Sequence, residues 1–323
     1  MRPEPSGEAK AVADVGEFDL IRRVTHGRRQ PTSTLLGPGD DAAVVAASDG
    51  RVVATTDVLV EGVHFRLDWS TPDQVGRKAV AVNLADIAAM GAVPTALLVG
   101  FGCPPDTPTS AVDELTDGMW AEASAAGAGV VGGDMVTSDM LVISITALGD
   151  LQGRAPVTRS GAGVGDVLAV CGRLGWAAAG LAVLHRGFRS PVNVVGAHRV
   201  PEPPYAAGPQ AAKAGATAMA DVSDGLLADV GHIATASKVA IDVRTSQLTV
   251  PQRIIEVASA LGADPMRWVL TGGEDHALVA TFPADKTVPD GWTVIGSVRH
   301  GSGVTVDGQP YAGAAGWEHW RKS

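Results

Sequence analysis

The sequence contains few cysteines, few aromatic residues and no long uninterrupted apolar run. Only 2 of its 323 residues are cysteine and only 4% are aromatic. Cys103 and Cys171 match no metal or redox spacing, so we expect two buried, reduced thiols and a cytoplasmic protein. The longest apolar stretch, residues 79–100, is interrupted by polar residues and a proline. It is therefore not expected to span a membrane.

Basic residues are also in short supply. There are 25 Lys and Arg against 35 Asp and Glu, which gives a formal net charge of −10. This balance argues against nucleic acid or an anionic membrane as the main partner. A hydrophobic content of 46% excludes wholesale disorder. Residues 1–16 lack the apolar segment of a signal peptide and are expected to form a flexible tail.

The common phosphate-binding loops are absent from the sequence. No Gly-x-x-x-x-Gly-Lys-Ser/Thr segment occurs, which excludes a standard P-loop. The glycines of segment 161–165 have the wrong spacing for a dinucleotide fingerprint and precede a strand, so they favour a flexible turn. Segment 272–275 superficially matches a diguanylate cyclase signature, but His276 and Ala277 break that pattern.

Strand and helix patterns alternate in both halves of the chain, with a boundary near residue 150. This alternation predicts an α/β or α+β protein of two domains. We expect a flexible tail over 1–16, an N-terminal domain over 17–149 and a C-terminal domain over 150–323. Expected helices begin near 18, 72, 110, 176, 226 and 251. The helix near 72 is expected from the capping-box pattern Thr71-Pro72-Asp73-Gln74 and should extend to about Met90. Expected strands include a 44–45/52–56 hairpin and segments 95–101, 140–148, 166–170, 217–222, 268–270, 277–282, 293–295 and 304–306.

Acidic residues recur next to glycine or other small residues where elements are expected to end. Asp57 follows a β-branched run and is expected at the end of that strand. Asp221 and Asp224 bracket an expected strand-to-helix turn, and Asn83 and Asp86 share one face of an expected helix. The six segments are Gly39-Asp40-Asp41-Ala42, Thr55-Thr56-Asp57, Asn83-Leu84-Ala85-Asp86, Gly132-Gly133-Asp134, Asp221-Val222-Ser223-Asp224-Gly225 and Gly273-Glu274-Asp275.

Each acidic segment has an ordinary interpretation when taken alone. Asp224 fits a helix cap, and segment 40–41 fits a solvated turn. Asp86 fits a salt bridge with Arg77 or Lys78. Recurrence at six places favours another interpretation, because converging carboxylates repel one another unless cations are present. Oxygen donors without cysteine or histidine clusters favour Mg²⁺, and the favoured reaction class is metal-assisted phosphoryl transfer.

With these segments in this order, the chain resembles the thiamine-monophosphate kinase family, within the superfamily of aminoimidazole ribonucleotide synthetase and selenophosphate synthetase. The resemblance covers about residues 16–320 and depends on the combination of motifs. Its markers are Gly16-Glu17-Phe18, Gly39 to Ala42, Thr56-Asp57, Gly62-Val63-His64-Phe65, Lys78 to Gly91, Gly132 to Asp134, Thr158-Arg159-Ser160-Gly161, Asp221 to Gly225, Gly272 to Asp275 and Gly316-Trp317-Glu318-His319.

The resemblance implies ATP-dependent phosphorylation of thiamine monophosphate to thiamine diphosphate, by direct transfer of the γ-phosphate with several Mg²⁺ ions. The implied metal ligands are Asp41, Thr55, Thr56, Asp57, Asp86, Asp134, Asp221 and Asp224. The implied ATP contacts are Gly133, Asp134, Arg159 and Ser223, and the implied substrate contacts are His64, Glu274 and Trp317. The resemblance further implies an N-terminal α+β domain whose small sheet forms a homodimer, and a C-terminal α/β domain.

For three of these residues, side-chain chemistry alone leaves two roles open. Arg159 suits a transferring phosphate or a surface salt bridge. Trp317 suits stacking on a cationic thiazolium ring or packing on the core. His64 suits a substrate contact or a structural role. The remaining alternatives for the whole chain are a non-catalytic regulator that binds nucleotide and Mg²⁺, or another ATP-using member of the superfamily.

Overall fold

The structure is a computed structural model that describes residues 10–15, 17–38 and 42–316. By its contacts the chain divides into two compact units. The first comprises residues 1–46, 56–80 and 95–147, and the second comprises residues 47–55, 81–94 and 148–323. The observed helices and sheets confirm the prediction of a two-domain α/β protein. Among the described residues, no helix has the length and hydrophobicity that a membrane crossing requires.

The helices and strands fall in the following order along the chain. They are α1 (Val12–Val15), α2 (Glu17–Thr25), β1 (Thr34–Leu36), β2 (Val44–Val45), β3 (Val53–Val60), α3 (Pro72–Ala89), β4 (Val93–Cys103), α4 (Thr109–Ala125), β5 (Gly129–Thr137), β6 (Val142–Asp150), β7 (Val167–Cys171), α5 (Trp176–His185), α6 (Val192–Arg199), α7 (Ala207–Ala214), β8 (Ala218–Val222), α8 (Leu226–Ser237), β9 (Ala240–Val243), α9 (Gln252–Leu261), α10 (Pro265–Thr271), β10 (Ala277–Phe282), β11 (Thr293–Arg299), β12 (Gly303–Val306) and β13 (Gln309–Pro310).

A four-stranded sheet with the order β3-β6-β4-β5 organises the N-terminal half. Strands β4 and β5 are parallel, and their register pairs Leu98 with Gly132 and Gly100 with Asp134. Helix α4 connects these two strands, since a parallel pair needs a crossover longer than a tight turn. The first unit also contains the two-stranded sheet β1-β2.

The start of helix α3 confirms a capping box at Thr71. The backbone N–H of Thr71 donates to Gln74 Oε1 (3.1 Å), and the N–H of Gln74 donates to Thr71 Oγ1 (3.4 Å). These two bonds satisfy donors that have no partner inside the helix. The helix ends at Ala89, close to the expected end at Met90.

A seven-stranded sheet with the order β13-β12-β9-β11-β7-β10-β8 forms the centre of the second unit. Every residue of β10 is buried, because this strand has a hydrophobic core on each face. Ala277 and Val279 pack in the core that includes helix α8. Leu278 and Ala280 pack in the other core, which includes helix α7. Alternation along one strand thus divides the unit into layers.

Two of the sequence predictions about secondary structure are wrong. Strand β2 pairs with β1, where Val45 lies opposite Thr34, and does not form a hairpin with 52–56. Segment 268–270 belongs to helix α10. Asp264 caps this helix by accepting a hydrogen bond from the N–H of Met266, and Pro265 occupies the first turn. That start signal outweighs the β-propensity of the short apolar segment.

Candidate functional site

The residues implied as ligands and substrate contacts fall into separate groups in the two units. Asp41 and Trp317 lie outside the described residues. Those of the first unit are Thr56, Asp57, His64, Gly133 and Asp134. Those of the second unit are Thr55, Asp86, Arg159, Asp221, Ser223, Asp224 and Glu274.

Two acids of the first unit lie inside strands. Asp57 falls in the middle of β3 and Asp134 in the middle of β5, so the prediction that strands end at these positions is wrong. Each strand continues because the flanking residues remain in the hydrogen-bonded ladder. Asp134 is exposed and accepts a hydrogen bond from the N–H of Met135 (2.9 Å). Its partner on the neighbouring parallel strand is Gly100, which has no side chain, so no side chain at that paired position covers the Asp134 carboxylate.

Thr56 and His64 form hydrogen bonds within the first unit. The Thr56 hydroxyl donates to the carbonyl of Ile145 (3.0 Å). His64 Nδ1 accepts a hydrogen bond from the N–H of Val60 (3.0 Å), while Lys78 Nζ donates to the His64 carbonyl (3.1 Å). These bonds support a structural role for the Nδ1 side of the half-buried His64 ring.

Thr55 and Asp86 form a directly bonded pair in the second unit. The Thr55 hydroxyl donates to Asp86 Oδ2 across 2.7 Å. Thr55 comes from strand β3 and Asp86 from the last turns of helix α3, so two elements bring oxygen donors together. Arg77, one of the two basic residues considered as partners of Asp86, binds Glu122 at 3.0 Å.

A second group of carboxylates surrounds the turn between β8 and α8. Asp221 is buried on β8, and Asp224 is half-buried in the turn. Asp229, on the first turn of α8, accepts hydrogen bonds from the N–H groups of Asp224 and Gly225 (3.1 Å each). The Asp224-Gly225 segment does begin helix α8, with Gly225 at the cap position, but the cap forms no side-chain hydrogen bond, so Asp224 does not cap the helix.

Electrostatic repulsion is strong in this group. Burial, together with the negative charges of Asp221 and Asp224, raises the pKa of Asp229 to about 7, against the opposing effect of the N–H bonds. Donor atoms of Asp224, Asp229 and His232 all lie within 4.8 Å of one another. A bound divalent cation would relieve this repulsion, and the carboxylate donors suit Mg²⁺. The residues present therefore fit the metal that the sequence predicts.

The sequence analysis did not identify Asp229 or His232 as residues of this group. Asp229 stands five residues after Asp224, and His232 stands three residues after Asp229 on the same helix. Residues three apart share a helix face. The acidic turn together with this spacing is the signal that could have found them.

The loop after α10 lies against the end of β8. The N–H of Glu274 donates to the Ser223 carbonyl (2.7 Å), and the N–H of His276 donates to the Val222 carbonyl (3.0 Å). Both Glu274 and His276 have left-handed backbone, with φ of 68° and 52°. This conformation is costly for residues other than glycine and is concentrated at functional sites.

Glu274, Asp275 and His276 point to three different partners. Glu274 Oε2 lies 3.8 Å from Nδ1 of the buried His198, on helix α6. Asp275 Oδ1 accepts a hydrogen bond from the N–H of Ala177 (2.8 Å) at the start of helix α5. Burial raises the pKa of Asp275 to about 7, although that N–H and the neighbouring N–H groups lower it. His276 contacts Asp221.

Arg159 is exposed, and its loop is held by one hydroxyl group. Ser237 Oγ donates to the Arg159 carbonyl (3.0 Å) and accepts from the N–H groups of Gly161 and Ala162 (3.1 Å each). The segment before β7 is therefore a tethered loop, which leaves the guanidinium of Arg159 at the surface.

Comparison with known proteins gives consistent matches over most of the chain. Residues 39–151 match the family model of the AIR synthase related protein, N-terminal domain, and residues 163–307 match that of the C-terminal domain. Thiamine-monophosphate kinase from Mycobacterium tuberculosis (strain CDC 1551 / Oshkosh) is 55% identical over 313 residues, which are 96% of this chain and 93% of the relative.

Two solved structures are similar in fold. Thiamine monophosphate kinase from Aquifex aeolicus matches with a TM-score of 0.77 and 31% identity, covering 94% of this chain and 99% of that chain. The structure of AaThiL complexed with AMPPCP and TMP matches with a TM-score of 0.80 and 32% identity, covering 95% of this chain and 98% of that chain.

Proposed function

We propose a phosphotransferase reaction for this chain, which belongs to the thiamine-monophosphate kinase family: transfer of the γ-phosphate of ATP to thiamine monophosphate, giving thiamine diphosphate and ADP. The observation that carries this proposal is the group of Asp224, Asp229 and His232 at the β8–α8 turn, together with Asp221, whose charge helps to raise the pKa of Asp229. Repelling carboxylates of this kind suit the Mg²⁺ ions that accompany a nucleotide triphosphate. The complex of AaThiL with AMPPCP and TMP supports the choice of substrates.

We propose that the oxygen donors implied by the family resemblance hold several Mg²⁺ ions. Bound Mg²⁺ would neutralise the charge that develops on the phosphates during transfer. The proposed ligands, including one outside the described residues, are Asp41, Thr55, Thr56, Asp57, Asp86, Asp134, Asp221 and Asp224. The 2.7 Å bond between Thr55 and Asp86 supports their joint assignment, because it aligns two oxygen donors.

Gly133, Asp134, Arg159 and Ser223 are the proposed ATP contacts. A Cβ at Gly133 would clash with the backbone carbonyl of Val99 on the neighbouring strand β4, so glycine is required at this position, directly before Asp134. Arg159 supplies a permanent positive charge, which suits a phosphate better than a titrating amine does. The tether from Ser237 supports this role, since it limits where the Arg159 backbone can move.

His64, Glu274 and Trp317 are the proposed contacts to thiamine monophosphate. The thiazolium ring is cationic, so a carboxylate such as Glu274 and an aromatic face such as that of Trp317 are complementary to it. The left-handed backbone of Glu274 supports its assignment, because such backbone is retained at functional sites.

The proposed reaction needs no strong general base. The attacking oxygen belongs to the substrate phosphate, which is already anionic at neutral pH. The task of this chain is therefore to align two anionic groups in line and to offset their repulsion. Arg159 contributes by binding phosphate oxygens with a positive charge that it keeps at all relevant pH values.

We also propose that the chain forms a homodimer through its four-stranded sheet. The β4–β5 register puts Leu98 and Val136 on one face of this sheet, and they are 39% and 57% exposed. Apolar side chains exposed on a sheet favour burial against a second copy. Sedimentation velocity should give a dimer, and Val136→Asp should shift it toward monomer; a monomeric wild-type chain would contradict the proposal.

We infer a cytoplasmic location from the cysteine usage. Cys103 and Cys171 are both free thiols; Cys103 is buried but Cys171 is only partly buried, so the expectation of two buried thiols holds for Cys103 alone. Burial raises the pKa of each thiol. Protected thiols of this kind suit a reducing compartment.

For the domain organisation, we propose that residues 17–149 form the ATP-binding and dimerisation domain and that residues 150–323 form the domain that completes the site.

Product formation tests the proposed reaction directly. The purified chain with ATP, Mg²⁺ and thiamine monophosphate should form thiamine diphosphate and ADP in equal amounts, as measured by chromatography. Asp57→Asn and Asp134→Asn should each lower kcat at least about a hundredfold, because each removes a carboxylate proposed to hold the Mg²⁺ that neutralises the transferring phosphate. Far-UV circular dichroism should remain unchanged. ATP binding without diphosphate formation would favour the non-catalytic regulator.

A further inference from the structure

His276 reaches the buried carboxylate of Asp221 from another segment of the chain. His276 Nδ1 lies 2.9 Å from Asp221 Oδ2, and the two residues are 6% and 3% exposed. An ionised carboxylate can only accept hydrogen bonds, so Nδ1 carries the proton and donates it. This contact engages one of the two carboxylate oxygens and fixes the plane of the group.

The backbone around His276 is organised to present this imidazole. Its φ of 52° is left-handed, and its N–H donates to the carbonyl of Val222, the residue that follows Asp221. Histidine tolerates left-handed backbone better than most residues do. The same loop therefore binds the end of β8 twice: once through the main chain at Val222 and once through the side chain at Asp221.

We propose that His276 is a positioning residue for metal binding, which holds one oxygen of Asp221 so that the other is presented to the cation. The inference rests on the proposed function only through the assignment of Asp221 as a metal ligand. Hydrogen-bond partners behind a metal ligand orient it and increase its basicity, and their loss weakens metal binding about 10–100-fold. His276 would act through Asp221 without touching the metal.

Two substitutions of His276 test the hydrogen bond that its side chain donates without disturbing its left-handed backbone. His276→Gly removes the donor, and glycine adopts left-handed backbone without strain. His276→Asn retains a donor, since the amide nitrogen of Asn stands at the same bond distance from Cα as Nδ1, and Asn also tolerates this backbone. We expect His276→Gly to weaken binding about tenfold or more and His276→Asn to stay within about threefold of the wild-type chain.

The measurement is a Mn²⁺ titration of the full chain, followed by the electron paramagnetic resonance signal of free Mn²⁺. Asp221→Asn serves as the reference, because it defines the part of the binding curve that depends on this carboxylate. The exposed His300, substituted by Asn and by Gly, is the matched control and should leave the curve unchanged. Equal Mn²⁺ affinity of His276→Gly and the wild-type chain would overturn the inference.

A second measurement uses the wild-type chain and does not depend on how the variants fold. Nitrogen-15 NMR of the histidine rings should show the proton of His276 on Nδ1, both with and without Mg²⁺. An unprotonated Nδ1 on His276 would overturn the inference. These readouts do not require turnover, so a chain that binds Mn²⁺ through Asp221 but forms no thiamine diphosphate would contradict the proposed function alone.

Discussion

The candidate residues of the first unit and those of the second are positioned by different means. Asp57 and Asp134 lie inside strands β3 and β5, where the hydrogen-bonded ladder continues on both sides. Asp224 and Glu274 lie in loops beside strand ends, with left-handed backbone at Glu274. The strand residues depend on register, whereas the loop residues depend on specific neighbours.

This difference has consequences for how each group tolerates substitution. A side chain on a strand can change while the main-chain ladder remains, so a site residue there can be removed at little cost in stability. The loops of the second unit are held by buried side chains and by conformations that few residues adopt. Substitutions in them should therefore affect folding and function together.

The largest expected effect concerns Asp275, which anchors the loop to the start of helix α5. Burial raises the pKa of this carboxyl from 3.8 to about 7 in the folded chain. The folded state thus binds the proton more tightly than the unfolded state does. Stability should fall as pH rises from about 4 to about 7, and the cost above pH 7 is on the order of 4 kcal/mol. Asp275→Asn should remove this pH dependence.

Urea unfolding of the wild-type chain and Asp275→Asn between pH 4 and pH 8 measures the difference. Asparagine can still accept from Ala177, but its amide nitrogen would occupy the place of Oδ2, which is buried without a hydrogen-bond partner among the described residues. That adds a pH-independent cost of about 1–3 kcal/mol. Parallel stability curves for the two chains would contradict the prediction.

Asp242→Asn is the matched control, because the pKa of Asp242 is shifted in the other direction. Burial opposes that shift, but hydrogen bonds from Thr305 and from the N–H of Gly308, with the charge of Arg299, hold the pKa of Asp242 below its usual value. The stability contributed by this group is present above its unfolded pKa and is lost as pH falls. Its variant should therefore differ from the wild-type chain less at low pH.

Periodicity and start signals predicted most elements of the fold. The capping box at Thr71 predicted the start of α3 because two local hydrogen bonds decide it. The hairpin prediction for 44–56 failed because strand pairing depends on distant residues, and β2 pairs with β1. Segment 268–270 has β-propensity, but the Asp264 cap and Pro265 begin a helix before it.

The site could be predicted in composition more easily than in arrangement. The motif acids Asp221 and Asp224 were found from the residues, and the structure adds Asp229 to them. The contact between His276 and Asp221 joins positions 55 residues apart in the sequence. No local pattern predicts such a contact, because it depends on the antiparallel pairing of β10 with β8.

A smaller effect is expected at Gly225, in the turn between β8 and α8. Its φ of 131° and ψ of 146° lie in a region that only glycine adopts readily. An added Cβ would lie 2.7 Å from the carbonyl oxygen of Thr271, the last residue of α10. Gly225→Ala should reduce the free energy of unfolding by about 3 kcal/mol, from backbone strain and the clash.

Gly262→Ala and Asp134→Asn complete the comparison between strand and loop. Gly262 also has positive φ, 66°, but nothing lies within 4 Å of an added Cβ, so its variant should lose only about 1 kcal/mol. Asp134 is exposed on a strand, and its variant should stay within about 0.5 kcal/mol of the wild-type chain while losing activity. Urea unfolding at constant pH ranks the three variants. If Asp134→Asn cost as much as Gly225→Ala, the first unit's site would depend on specific side chains as the loops do, and strand register alone would not explain its position.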